Sequence, residues 1–129
     1  MNFKKFKTII YKISNQSEFE VLEFKEPSVT PNFYIAKVKI YNIEFFVLAS
    51  YEDNWAFSKN CNSSDLLVDF INNDKLSSLL KNQYNILVFT KEELNTFATP
   101  PLGGWGAKEK DIKYWKPKTL GELLFNYWD

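Results

Sequence analysis

Two apolar runs separated by only two residues constrain this chain most: Phe33–Ile40 and Ile43–Ser50. In the first, Tyr34, Ala36, Val38 and Ile40 share one side of a pleated strand. Ile35, Lys37 and Lys39 share the other, because successive side chains alternate faces. The second run has the same strand composition. Between them, Tyr41-Asn42 reads either as a tight hairpin turn or as a bend within one long strand: asparagine tolerates a left-handed backbone, but no glycine follows. Residues 19–25 form a further strand of alternating acidic and apolar residues, ended by Pro27, and Pro31 closes the next turn.

The remaining segments are mainly helical. Residues 3–13 fit a helix through Phe3, Phe6, Ile10 and Ile13, and equally a strand through Lys7, Ile9, Tyr11 and Ile13. Residues 51–62 read as a polar bridge that contains Trp55 and Phe57. Ser63 or Ser64 then caps a helix carrying Leu66, Leu67, Phe70 and Ile71. The Asn72-Asn73-Asp74 cluster ends it and starts a short one with Leu76, Leu79 and Leu80. Residues 84–89 are a continuous apolar run, expected as a strand buried on both faces. Thr90 with Glu93 makes a capping box for a short helix with Leu94, Phe97 and Ala98 on one side, ended by Pro100-Pro101. After a glycine-rich loop and a charged segment, Thr119 and Glu122 make a second capping box. Leu120, Leu123, Leu124, Tyr127 and Trp128 then form one apolar stripe, with Glu122 and Asn126 facing away and Leu124 and Trp128 expected to be buried. The expected fold is α+β: one domain over residues 1–129, a mainly antiparallel sheet of four to five strands packed with helices, and the C-terminal amphipathic helix docked on the core.

Composition excludes several chemistries. Sixteen cations balance sixteen acids, and every cation is lysine. Without arginine there is no bidentate fork for phosphate or carboxylate, and without histidine there is no imidazole base or metal ligand. The single cysteine, Cys61, has no internal disulfide partner and no histidine to activate it. Glu52-Asp53 and Glu92-Glu93 are carboxylate pairs, but the second sits in a helix's first turn, where the dipole favours anions. Gly103-Gly104-Trp105-Gly106 lacks the lysine and hydroxyl residue of a phosphate loop, which leaves a loop displaying an aromatic. Lys108, Lys110, Lys113, Lys116 and Lys118 interleave with Tyr114 and Trp115, but Glu109 and Asp111 dilute that charge. No catalytic residue, metal ligand or cofactor site is expected. Neither a signal-peptide core nor a membrane span is recognisable, which fits a cytoplasmic protein. Residues 44–74 lean the other way, with six acids (Glu44, Glu52, Asp53, Asp65, Asp69 and Asp74) against Lys59 alone. Helical spacing would put Asp65 and Asp69 on one side of a helix, as part of an acidic docking surface.

The closing segment, from Tyr114 through Trp115, Pro117, Thr119, Gly121, Glu122, Phe125, Asn126 and Trp128 to Asp129, resembles the C-terminal signature of small immunity proteins from bacterial contact-dependent growth inhibition systems. The resemblance implies a non-enzymatic inhibitor of a cognate toxin domain, often a nuclease acting on tRNA or other RNA. It implies neither direct nucleic-acid binding nor a membrane partner. The signature residues themselves are assigned to folding, because such families diversify where they touch their toxin. Charge and aromatic character point instead to Glu52, Asp53, Asp65 and Asp69, with Trp55 or Trp105 as anchor, as the toxin-facing set. The competing expectation is a non-enzymatic adaptor that binds a protein or peptide.

Overall fold

The computed structural model describes residues 1–27, 30–60, 68–97 and 108–126. Its centre is a five-stranded sheet in the order β1-β2-β3-β4-β5, antiparallel throughout: β1 (Glu20–Lys25), β2 (Phe33–Ile40), β3 (Ile43–Ser50), β4 (Trp55–Ser58) and β5 (Phe70–Ile71). The two runs that dominate the sequence pair along their full length, from Phe33 opposite Ser50 to Ile40 opposite Ile43. Tyr41 and Asn42 take φ of 48° and 65°, so they form the two-residue turn with a left-handed backbone at both positions, and the long-strand alternative falls away. Strand β1 pairs with β2 through a bulge at Leu22. A bulge and a charged edge both discourage further pairing along that side.

Helices cover both faces of the sheet. The N-terminal segment is helical over α1 (Phe3–Ser17), capped by Asn2, whose side chain accepts from the Lys5 amide at 2.8 Å. Phe6, Ile9, Ile10 and Ile13 are buried at i, i+3, i+4 and i+7, whereas Tyr11, which a strand would have placed inward with Ile9, is exposed. With Leu76 and Leu80 of α2 (Asp74–Tyr84), this stripe covers Tyr34, Ala36, Val38, Phe45, Val47, Trp55 and Phe57. Asn73 caps α2, and Asn85, at φ 55°, ends it by donating its amide to the Leu80 and Lys81 carbonyls. On the opposite face, Phe33, Ile35, Leu48, Ala56 and Phe70 pack with Leu94 of α3 (Lys91–Leu94) and with Leu124 and Phe125 at the end of α5 (Leu120–Leu124). The charged segment expected after residue 106 is helical as α4 (Glu109–Trp115), with no buried residue.

Four expectations are corrected here. Residues 55–58 are not part of a polar bridge but a strand, all four side chains buried. Phe70 and Ile71 form β5 rather than a helix, and Ser63, Ser64, Leu66 and Leu67 lie outside the described residues. Residues 84–89 are not a strand buried on both faces: Val88 makes one parallel bridge to Trp55, and Leu87 is 69% exposed. The left-handed Asn85 turns the chain before a ladder can start. Helix α3 stops at Leu94, so Phe97 is exposed rather than packed beside it, and Ala98 lies outside the described residues.

Candidate functional site

An open groove of about 370 Å³ lies next to the turn that precedes Trp55. Met1, just before α1, lines one wall with Lys5 and Ile9, which lie one turn of α1 apart. Tyr84, Asn85, Ile86, Leu87 and Phe89 line the other, where α2 runs out, and Asp53 and Asn54 close one end. The turn that carries Asp53 is fixed by Ser50: its amide donates to the Asn54 carbonyl at 2.8 Å, its hydroxyl accepts from the Asn54 amide at 3.0 Å, and its carbonyl accepts from the Asp53 amide at 3.0 Å. Asp53 sits at φ 65°, and its Oδ1 accepts the indole N–H of Trp55 at 2.9 Å. That bond satisfies a buried indole donor. Phe89 donates its amide to the Trp55 carbonyl at 2.9 Å, which holds the far wall against β4. Beside the same turn, Tyr51 meets Tyr34 edge-on at 5.2 Å. Burial, then Tyr34 and Glu26, pushes the Tyr51 phenol up, and burial followed by Glu26 does the same for Tyr34.

The expected toxin-facing residues do not converge. Glu52 and Asp53 are adjacent and exposed on the β3–β4 turn, the only two of the set that share a surface among the described residues. Trp55 is fully buried and tilts against Phe6 at 5.4 Å, so it cannot serve as an exposed anchor. Asp69 is exposed, but it precedes β5 in extended chain, with its amide on Asn60 and its carbonyl on the Lys59 amide; it has no helical face to share with Asp65. Asp65 and Trp105 lie outside the described residues. Glu44 pairs with Lys37 at 3.5 Å on the sheet, at the opposite end of β3 from Glu52. The six residue steps of strand from Glu44 to Ser50 alone span roughly 20 Å, so residues 44–74 do not present one acidic surface. Leu87 and the α1 wall were not anticipated, because the groove joins segments far apart in sequence.

Residues 119–126 dock the C-terminal tail on the sheet. Both halves of the capping box form: the Thr119 hydroxyl accepts the Glu122 amide at 3.2 Å, and the Glu122 carboxylate accepts the Thr119 amide at 2.9 Å. A Cβ on Gly121 would fall within clashing distance of Phe70 Cε2 and 3.0 Å from the Leu94 carbonyl oxygen, so only glycine lets α5 approach β5 and α3 this closely. Gly121→Ala is accordingly expected to cost about 1–3 kcal/mol by overpacking, read as a lower urea midpoint. Asn126, expected to face outward, is buried. Helix α5 ends at Leu124 and Phe125 is extended (φ −125°), so the helical wheel no longer applies. Asn32 clasps this tail: it donates its side-chain amide to the Leu124 carbonyl at 3.0 Å and its backbone amide to the Asn126 carbonyl at 2.9 Å, and accepts the Asn126 amide on Oδ1 at 2.9 Å. Leu124 is buried as expected. Trp115 and Pro117 are half-buried, and Tyr127 and Trp128 lie outside the described residues.

Among the described residues, no three His, Cys, Asp or Glu side chains are grouped to hold a metal ion, and no helix is long and apolar enough to cross a membrane. The chain matches no family model, no curated protein and no solved structure.

Proposed function

We propose that this chain is an immunity-type inhibitor, which binds one cognate toxin domain and neutralises it without chemistry of its own. The observation that carries the reading is where the resemblance falls. Thr119, Gly121, Glu122, Phe125 and Asn126 all serve to dock the C-terminal tail, through a cap, a close approach, a ring contact and a clasp. A motif spent on folding leaves the rest of the surface free for a partner. The groove lined by Asp53, Asn54 and Leu87, with the exposed Glu52 next to it on the β3–β4 turn, is the surface assigned to that partner. A toxin that cleaves RNA needs a cationic substrate surface, and acids at the rim would speed encounter with it, while desolvated apolar contacts would set the affinity.

Binding kinetics with the toxin domain encoded by the adjacent reading frame test this. The parent protein is expected to bind it and to protect cells that express it. Glu52→Lys combined with Leu87→Ser is expected to weaken binding about tenfold or more, with slower association and a flatter salt dependence. Asp53 is left in place because it holds the Trp55 indole. A parent that binds no such toxin overturns the proposal. The mixed polar and apolar lining of the groove also suits an adaptor for short peptides. Recognition of one peptide motif in many unrelated proteins, without protection from the toxin, would select that reading.

A further inference from the structure

The β2–β3 hairpin tip carries a contradiction between local stability and surface chemistry. A two-residue turn with positive φ at both positions favours Asn-Gly or Asp-Gly, and a bulky residue there is an outlier. This chain places Tyr41 at φ 48° and Asn42 at φ 65°. The tyrosine gains nothing from the fold in return: it is 92% exposed, and among the described residues nothing bonds its phenol. Ile43 beside it is 68% exposed. Directly behind them, Val38 and Phe45 face each other across the ladder and are buried, so the tip is held on a stiff base. Strain kept at an exposed position is a pointer to use.

We infer that Tyr41 and Ile43 form a preorganised apolar knob that inserts into a concave, uncharged pocket on the protein partner. The inference rests on the toxin-binding reading and adds a second contact to it. A convex tip needs a concave partner, and an aromatic on a rigid turn loses little freedom when bound. Charge argues for an apolar pocket. Behind the tip, Lys39 lies between Glu20 and Glu44 in register, and Glu44 also reaches Lys37, so two lysines and two glutamates cancel. Recognition there would depend on shape and burial, and its loss would appear in the dissociation rate rather than in salt-dependent association. One aromatic buries about 150–250 Å², against roughly 800 Å² per partner in a stable complex. The tip is therefore an anchor within a larger interface.

Three variants decide the matter, using the full chain and the toxin domain from the adjacent reading frame. Tyr41→Asn is expected to raise the melting temperature, because the turn then matches its backbone, and to raise Kd about tenfold or more through faster dissociation. Asn42→Gly is expected to raise the melting temperature with Kd unchanged, since the ring remains. Ile43→Ala is expected to weaken binding while leaving the fold intact. A structural role for the tyrosine would instead lower stability in Tyr41→Asn. If the parent binds the toxin and Tyr41→Asn binds it equally well, the knob is overturned and the toxin-binding reading stands. If the parent binds no toxin, both fall together.

Discussion

Trp55→Ala is expected to lower the unfolding free energy by about 3–5 kcal/mol, the range for truncating a buried large aromatic. Trp55 is fully buried in β4, tilted against Phe6 at 5.4 Å, and packed with the α1 and α2 stripes. Its removal would open a cavity under the groove and free Asp53 Oδ1 of the indole donor, while the Phe89 amide keeps the main-chain carbonyl of residue 55. Urea unfolding followed by near-ultraviolet circular dichroism measures the loss. Trp55→Phe separates two contributions: the ring volume is largely kept, while the indole bond to Asp53 goes. The alanine variant should therefore be much the worse of the two. A midpoint nearly unmoved in Trp55→Ala, together with lost affinity for the partner proposed above, would return this residue to the exposed anchor role that its polar sequence surroundings suggest.

That contrast shows which signals are local. The β2 and β3 alternation and both capping boxes were legible because each is written within a few residues: period two for the strands, i to i+3 for the caps. Strand β4 was not, since four residues between Asp53-Asn54 and Lys59-Asn60 are too few to show a period, and their burial is supplied by distant helices. Strand β5, two residues long, carries still less pattern. The run over residues 84–89 misleads in the other direction. Its apolar residues serve a core and an open groove at once, and Leu87 is left outside.

The candidate site follows the same rule. Glu52-Asp53 stood out as a pair, but nothing local says that Lys5, Asp53 and Leu87 line one groove, because that is a product of how α1, the β3–β4 turn and the end of α2 meet. The N-terminal ambiguity was also settled at a distance. Both periods fit residues 3–13, and the sheet selected the helical one by burying Phe6, Ile9, Ile10 and Ile13 together.

Phe125→Ala is expected to cost about 3–5 kcal/mol and to release the C-terminal tail before the sheet unfolds. Phe125 is outside the apolar stripe of the terminal helix, yet it is almost fully buried. It meets Phe33 at 5.8 Å and Phe70 at 5.7 Å, both edge-on, so one ring joins the start of β2 to β5 and closes the second core. The Asn32 clasp depends on that seat. If the ring is lost, the Leu124 carbonyl and the Asn126 amide must find other partners, and each buried polar group left unpaired adds about 1–3 kcal/mol. Amide hydrogen exchange is the informative measurement. Protection should fall first at Leu123, Phe125 and Asn126, whose amides bond to Thr119, Gly121 and Asn32, while amides of the β2–β3 ladder keep theirs until global unfolding. Uniform loss across tail and sheet would instead mean that the tail is part of one cooperative unit. Residues 119–126 would then hold the whole fold, and Phe125→Ala would destroy the groove along with the sheet that carries it.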